Sequence, residues 1–365
     1  MLARFIFVIP LAIALAIAAS AAADGGDEVV LYDGGPHHTG VYDTQPVREL
    51  TGVKWKFDTV GDVTSPPLVY DGIVYFGDWE DHFYAVDVET GNERWRHKGV
   101  KAAAGPPTIY KGVAYWGGHS GIFYALDAKT GEELWTYQTG GGVCFPPLIQ
   151  DDIAYFTSHD SCYYAVDINS GELVRKLEAE TGSCSSPSVF EDVVLISDWN
   201  GVVHAYEKAL AGERWRFAAQ QKIYHAPAIM DGVGYVGSYD HNVYAIDLRS
   251  GKQLWKFDTG EKVGLEPAVR DGVVYAVTRQ SHLYALDAKT GDVIWDFDRD
   301  GKVYSKPALA GDVLYFGSGD HYLYALDPKT GKEMWKFEAQ DMVCNPSVYD
   351  GLVFFGSGPA VYCLE

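Results

Sequence analysis

The chain has 365 residues, of which 47% are hydrophobic, and its formal net charge is −21. A charge of that sign excludes the basic footprint of a nucleic-acid binder. The 14% aromatic content gives a disordered chain too much to bury. The length exceeds one ordinary compact domain, so either two domains or a repeat array is expected.

At the N-terminus, Arg4 precedes an almost wholly apolar run from Phe5 to Ala19, and Ser20-Ala21-Ala22-Ala23 offers a small-residue cleavage site. Residues 1–23 therefore read as a secretory signal peptide, with retention as an uncleaved anchor the alternative. No later stretch reaches the ~18 apolar residues of a membrane span. The first cysteine is Cys144, so no lipid-acceptor cysteine stands at the processing site. The product is expected to be exported, periplasmic or extracellular. Residues 24–52 form a lead-in.

The remainder, residues 53–365, is one unit repeated. Tyr-Ala-hydrophobic recurs every forty residues at Tyr84, Tyr124, Tyr164, Tyr244, Tyr284 and Tyr324, with His204 in the same register. Eleven residues after each stands Trp95, Trp135, Trp215, Trp255, Trp295 or Trp335, with Arg175 the exception. The link reads Ala-x-Asp-x-x-x-Gly-x-x-x-Trp, and the fourth copy departs from it at Glu207 and Ala211. A period near forty, rich in glycine and aromatics, marks an all-β propeller.

Each unit reads as four strands of alternating character, in the seventh copy 303–308, 313–317, 322–326 and 333–337. Asp71-Gly72, Asp231-Gly232 and Asp271-Gly272 mark hairpins. The chain ends on a third strand at Tyr362-Cys363-Leu364-Glu365, while Val53 to Phe57 is a fourth strand lacking its first three. Joining them predicts a single eight-bladed ring of four-stranded antiparallel blades. Trp55 and the six repeat tryptophans are expected to anchor neighbouring blades, leaving a softer joint at Arg175.

Strand order puts the turns before strand one and between strands two and three on one variable face, the natural place for binding. One register of that face reads Trp79, His119, His159, Trp199, Tyr239 and Arg279, an arc of residue types enriched at interfaces. At the entry to the innermost strand, Lys222, Lys262 and Lys302 suit an anionic ligand or an acidic segment. Further in come Cys144, Cys184, Tyr224, Tyr304 and Cys344, with Cys144 and Cys184 the candidate disulfide. Glu266 and Lys306 are expected to pair at the channel wall. His119 and His159 could share a metal, but no third ligand shares their register, so no metal is expected.

The repeat resembles that of the pyrroloquinoline-quinone (PQQ)-like propellers, as does the lead-in Gly34-Gly35-Pro36-His37-His38-Thr39-Gly40. That superfamily includes quinoprotein dehydrogenases and BamB-type assembly scaffolds, so the resemblance implies fold more sharply than function. A quinoprotein reading would make Glu266 and Asn345 ligands of calcium beside PQQ. Against it stand the lack of a vicinal cysteine pair and a strict spacing that leaves no room for lid insertions. The expectation is a monomeric, exported, non-enzymatic scaffold, with BamB-like envelope assembly the role the resemblance implies, that binds an envelope or secreted protein and needs no cofactor. The alternative is a PQQ-dependent dehydrogenase or a binder of PQQ or another anionic ligand.

Overall fold

The computed structural model describes residues 29–31, 34–99, 105–183, 185–280, 282–298, 302–303 and 305–365. The signal-peptide reading, Cys184 and Tyr304 lie outside the described residues. Eight blades of four antiparallel strands make a propeller, the sheet of blade seven gaining a fifth, parallel strand. Blade one consists of Leu68–Tyr70, Ile73–Gly77, His82–Asp87 and Glu93–Lys98, and the same order recurs through blade seven. In blade eight, Ser347–Tyr349, Leu352–Gly356 and Ala360–Leu364 take Val53–Asp58 as their outer strand. Trp55 lies opposite Cys363 and Phe57 opposite Val361. The two ends of the ring are therefore locked into one sheet, as the sequence predicts.

Two details differ from the sequence reading. In blade seven the innermost strand is Ala308–Ala310, not 303–308. Each innermost strand starts directly after a proline, from Pro67 before Leu68 to Pro346 before Ser347. Proline has no N–H for a ladder and holds the residue before it extended, so pairing begins only beyond it. The middle strands also do not alternate: Ile73–Gly77 is buried throughout, because each blade is covered on both faces by its neighbours. Alternation survives in the outer strand, as in Glu93–Lys98.

The repeat motif joins one blade to the next. The indole N–H of Trp95 donates to the Ala128 carbonyl of the following blade at 3.1 Å, and the Tyr75 hydroxyl donates to the same oxygen at 2.9 Å. Trp55, Trp135, Trp215, Trp255 and Trp295 each reach the equivalent carbonyl at 2.8–3.0 Å. The motif glycine of that next blade lies against the indole. A Cβ at Gly91, Gly131, Gly171, Gly251, Gly291 or Gly331 would come within 2.6–2.8 Å of the tryptophan of the blade before. The departures in blades three and four are thus a single change. Where Arg175 replaces tryptophan, blade four has Ala211 for glycine and forms the short 3-10 turn Lys208–Leu210. Leu210 is buried in a cluster with Tyr155, and Leu177 packs against it. The joint predicted to be soft is filled from the other side.

The lead-in completes the ring. Trp335 and Tyr315 both donate at 3.0 Å to the carbonyl of Val47. Upstream, the lead-in passes from one innermost strand to the next. Ile109 of blade two bonds Val30, and Val189 of blade four donates to Pro36. Ile229, Val269 and Leu309 of blades five to seven donate to His37, Thr39 and Gly40. Val41–Tyr42 then pairs in parallel with Ala308–Ala310, and Gly351 in the blade-eight hairpin donates to Gln45. Adjacent residues Pro36 and His37 serve adjacent blades, so this segment occupies the channel beside the regular hairpin turns.

Candidate functional site

On the opposite face, entry loops among the described residues are stapled to neighbouring turns. The N–H groups of Trp79, His159, Trp199, Tyr239 and Arg279 donate to the carbonyls of Asp62, Gly142, Gly182, Lys222 and Lys262 in their own blades. Val63, Val143, Val263 and Val343 donate back to the turn of the preceding blade. These bonds set the side chains of turn and entry loop next to one another around the channel mouth.

The predicted arc is a chain of ring contacts. Trp79 is 45% exposed and stacks on His119 at 5.5 Å. His119 meets His159 edge-on at 5.6 Å, and His159 meets Trp199 at 5.6 Å. The ammonium of Lys222 lies over Trp199 at 5.6 Å and near Tyr224 at 6.0 Å. Tyr224 contacts Tyr239 at 4.8 Å. Lys262 sits over the Tyr239 ring at 5.3 Å, and Arg279 Nη1 donates to the Tyr239 hydroxyl. Six consecutive blades thus share one aromatic and cationic rim. Within it, Trp199, Asn200, Gln220, Lys222, Tyr239 and Lys262 are among the residues lining an open cavity of about 530 Å³. Lys302 keeps the register, its carbonyl bonded to Gly319 N–H, but is not among the cavity's lining residues.

One grouping was not visible in the sequence register. The buried Cys144 brings its Sγ to 3.5 Å from His159 Nε2, and to 3.5 and 3.6 Å from the two ring nitrogens of His119. The hydrogen bond with Cys144 raises the pKa of His159 despite burial. Comparing like positions in neighbouring blades misses this set, because it combines two turn residues with one entry residue. No spacing in the sequence signals it; the stapling of the entry loop to its flanking turns brings the three together. Cys162, Cys344 and Cys363 are buried thiols, and burial pushes Cys344 and Cys363 up to about 12.

At the axis, Glu266 is 3% exposed. Its Oε2 accepts from Lys306 Nζ at 2.7 Å, and its Oε1 lies 3.3 Å from Nδ1 of the buried His38. His38 Nε2 is 3.0 Å from the Pro187 carbonyl. Asn345 Oδ1 accepts the Lys306 backbone N–H at 2.8 Å. Calcium requires several oxygen donors, whereas here an ammonium group stands against the carboxylate and Asn345 is turned to the backbone. These residues do not fit a calcium–quinone pair.

No curated protein matches the chain. Among solved structures it is similar to BamB from Moraxella catarrhalis, with a TM-score of 0.75 and 17% identity over 86% of this chain and 99% of that one. A europium-containing methanol dehydrogenase gives a TM-score of 0.79 and 14% identity over 92% and 97%. The computationally designed Ika8 protein gives 0.75 and 17% over 87% and 99%. At these identities the likeness is one of fold. The sequence model for the outer membrane protein assembly factor BamB matches residues 48–105, 99–184, 164–263 and 239–358. With the ring, its closure and its repeat grammar, that match over most of the chain makes this protein a member of the BamB-type family of PQQ-like propellers.

Proposed function

We propose that this propeller is an exported, non-enzymatic scaffold that binds an acidic, aromatic-bearing segment of an envelope protein on its variable face. The observation that carries this reading is the asymmetry of the channel. The lead-in occupies the regular side, while the other side opens into the rim of Trp199, Tyr224, Tyr239, Lys222 and Lys262. On a chain of net charge −21, that clustered positive sector favours an acidic segment, and half-buried aromatic anchors supply apolar contact area. The family's description as an assembly factor supports a role in holding envelope proteins during assembly. Residues 1–23 would direct export, and the ring would act as a monomer.

The test is affinity recovery from native envelope extract with wild type and a Trp199→Ala/Lys222→Ala/Lys262→Ala variant. Partner recovery is expected to disappear with no change in melting temperature, and Trp199→Ala alone to cost about 2 kcal/mol of binding. Wild-type binding should weaken as salt rises. Undiminished recovery by the triple variant would move the interface elsewhere. Saturable PQQ binding with dye reduction in the presence of calcium would replace the scaffold reading with the dehydrogenase one.

A further inference from the structure

We propose that His119, Cys144 and His159 form a three-ligand site for a late first-row transition ion of the Zn²⁺ type, on the channel wall between blades two and three. The donors come from separate segments: the blade-two turn, the blade-three entry loop and the blade-three turn. Their ligand atoms all lie within 4.8 Å of one another. In a tetrahedral zinc centre a thiolate sulfur and an imidazole nitrogen are ~3.6 Å apart, from bond lengths of about 2.3 and 2.0–2.1 Å. The observed sulfur-to-nitrogen distances are 3.5 Å to His159 and 3.5–3.6 Å to His119. The sulfur lies 3.5 and 3.6 Å from the two nitrogens of His119, so metal binding requires that ring to turn and direct one nitrogen's in-plane lone pair at the ion.

The surroundings hold this geometry. Val143 N–H bonds the Gly118 carbonyl at 3.0 Å and His159 N–H bonds Gly142 at 2.9 Å, which fixes Cys144 between the two turns. A Cβ on Gly142 would lie 3.1 Å from His119 Cα and 3.4 Å from both Cys144 Sγ and His119 Nδ1. Trp79 and Trp199 flank the two imidazoles. One thiolate and two imidazoles suit a borderline-soft ion and not calcium or magnesium, which take oxygen ligands. Binding releases the thiol proton, and with three protein ligands the fourth position is left for water or an anionic group.

The experiment titrates reduced, metal-free protein with Co²⁺, read by absorbance. The expected result is a thiolate-to-cobalt charge-transfer band with tetrahedral visible bands, saturating at one equivalent and bleached by Zn²⁺. Cys144→Ser should abolish the charge-transfer band, and His119→Gln should weaken cobalt binding at least tenfold. Zn²⁺ should raise the melting temperature of wild type but not of these variants, each of which must melt like apo wild type. Absence of the band in wild type, or its persistence in Cys144→Ser, overturns the site and reduces the contacts to thiol–imidazole hydrogen bonds. Neither result depends on whether the face binds a protein.

Discussion

The repeat tyrosine performs one local task. The hydroxyls of Tyr84, Tyr164, Tyr244 and Tyr324 donate to Asp78, Asp160, Asp240 and Asp320 in the turn between strands two and three. In blade four, His204 takes that place, with Nε2 3.3 Å from Asp198 and Nδ1 2.6 Å from Glu213. Burial lowers the His204 pKa, but the bonds to the two carboxylates outweigh it, and the folded value lies above the ordinary 6.5. The stability this pair of contacts adds is therefore full below about pH 6.5 and lost as pH rises through the higher folded value. Melting over a pH series should show the gap between wild type and His204→Gln widest below about pH 6 and narrowing above neutrality. Glycine at the indole is a second residue-scale test. Gly131 has φ of +73° and would place a Cβ 2.6 Å from Trp95, whereas Gly272 has φ of +77° and open space. Gly131→Ala should cost about 1–3 kcal/mol and clearly more than Gly272→Ala in chemical denaturation.

At the scale of the element, the outer strand carries the joint between blades. Its ladder slips by one residue beside the tryptophan, as between Glu133 and Trp135, and the skipped residue turns outward. This accounts for the exposure of Leu134, Val174, Leu254, Ile294 and Met334; each is a bulge position. In blade three the joint relies on Leu210 instead of an indole. Leu210→Ala should therefore cost about 2–5 kcal/mol, the range for a buried leucine. Arg175→Trp should give no gain, since Leu210 already fills the space. Thermal melts of both variants check this.

For the whole molecule, stability rests on closure. Val53–Asp58 pairs with Ala360–Leu364, Thr51 and Gly52 bond the Glu365 carbonyl, and Val47 takes the indole and phenol of blade seven. A chain starting at Asp62, or one ending at Gly351, is expected to melt well below the intact protein; an unchanged melting temperature would refute the closure account. The same connections position the site, because the lead-in that clasps blade seven also occupies the regular side of the channel and brings His38 to Glu266.

The sequence alone determined the number of blades, the way the ring closes and the positions of Trp55, Trp95 and their equivalents. These follow from contacts that recur at one offset from blade to blade, such as Trp95 with Ala128 and Gly131, and a strict period records such contacts directly. It also placed Trp79, Trp199 and Tyr239 on one face, because strand order dictates which turns share a side. Only the tertiary structure decided that Cys144 joins His119 and His159, that His38 joins the expected Glu266–Lys306 pair, and that Val47 takes the indole of Trp335. Those contacts cross the period. They do not recur from blade to blade, or they join a non-repeating segment to the ring, and they depend on how closely chains approach near the axis, which no spacing in the sequence encodes.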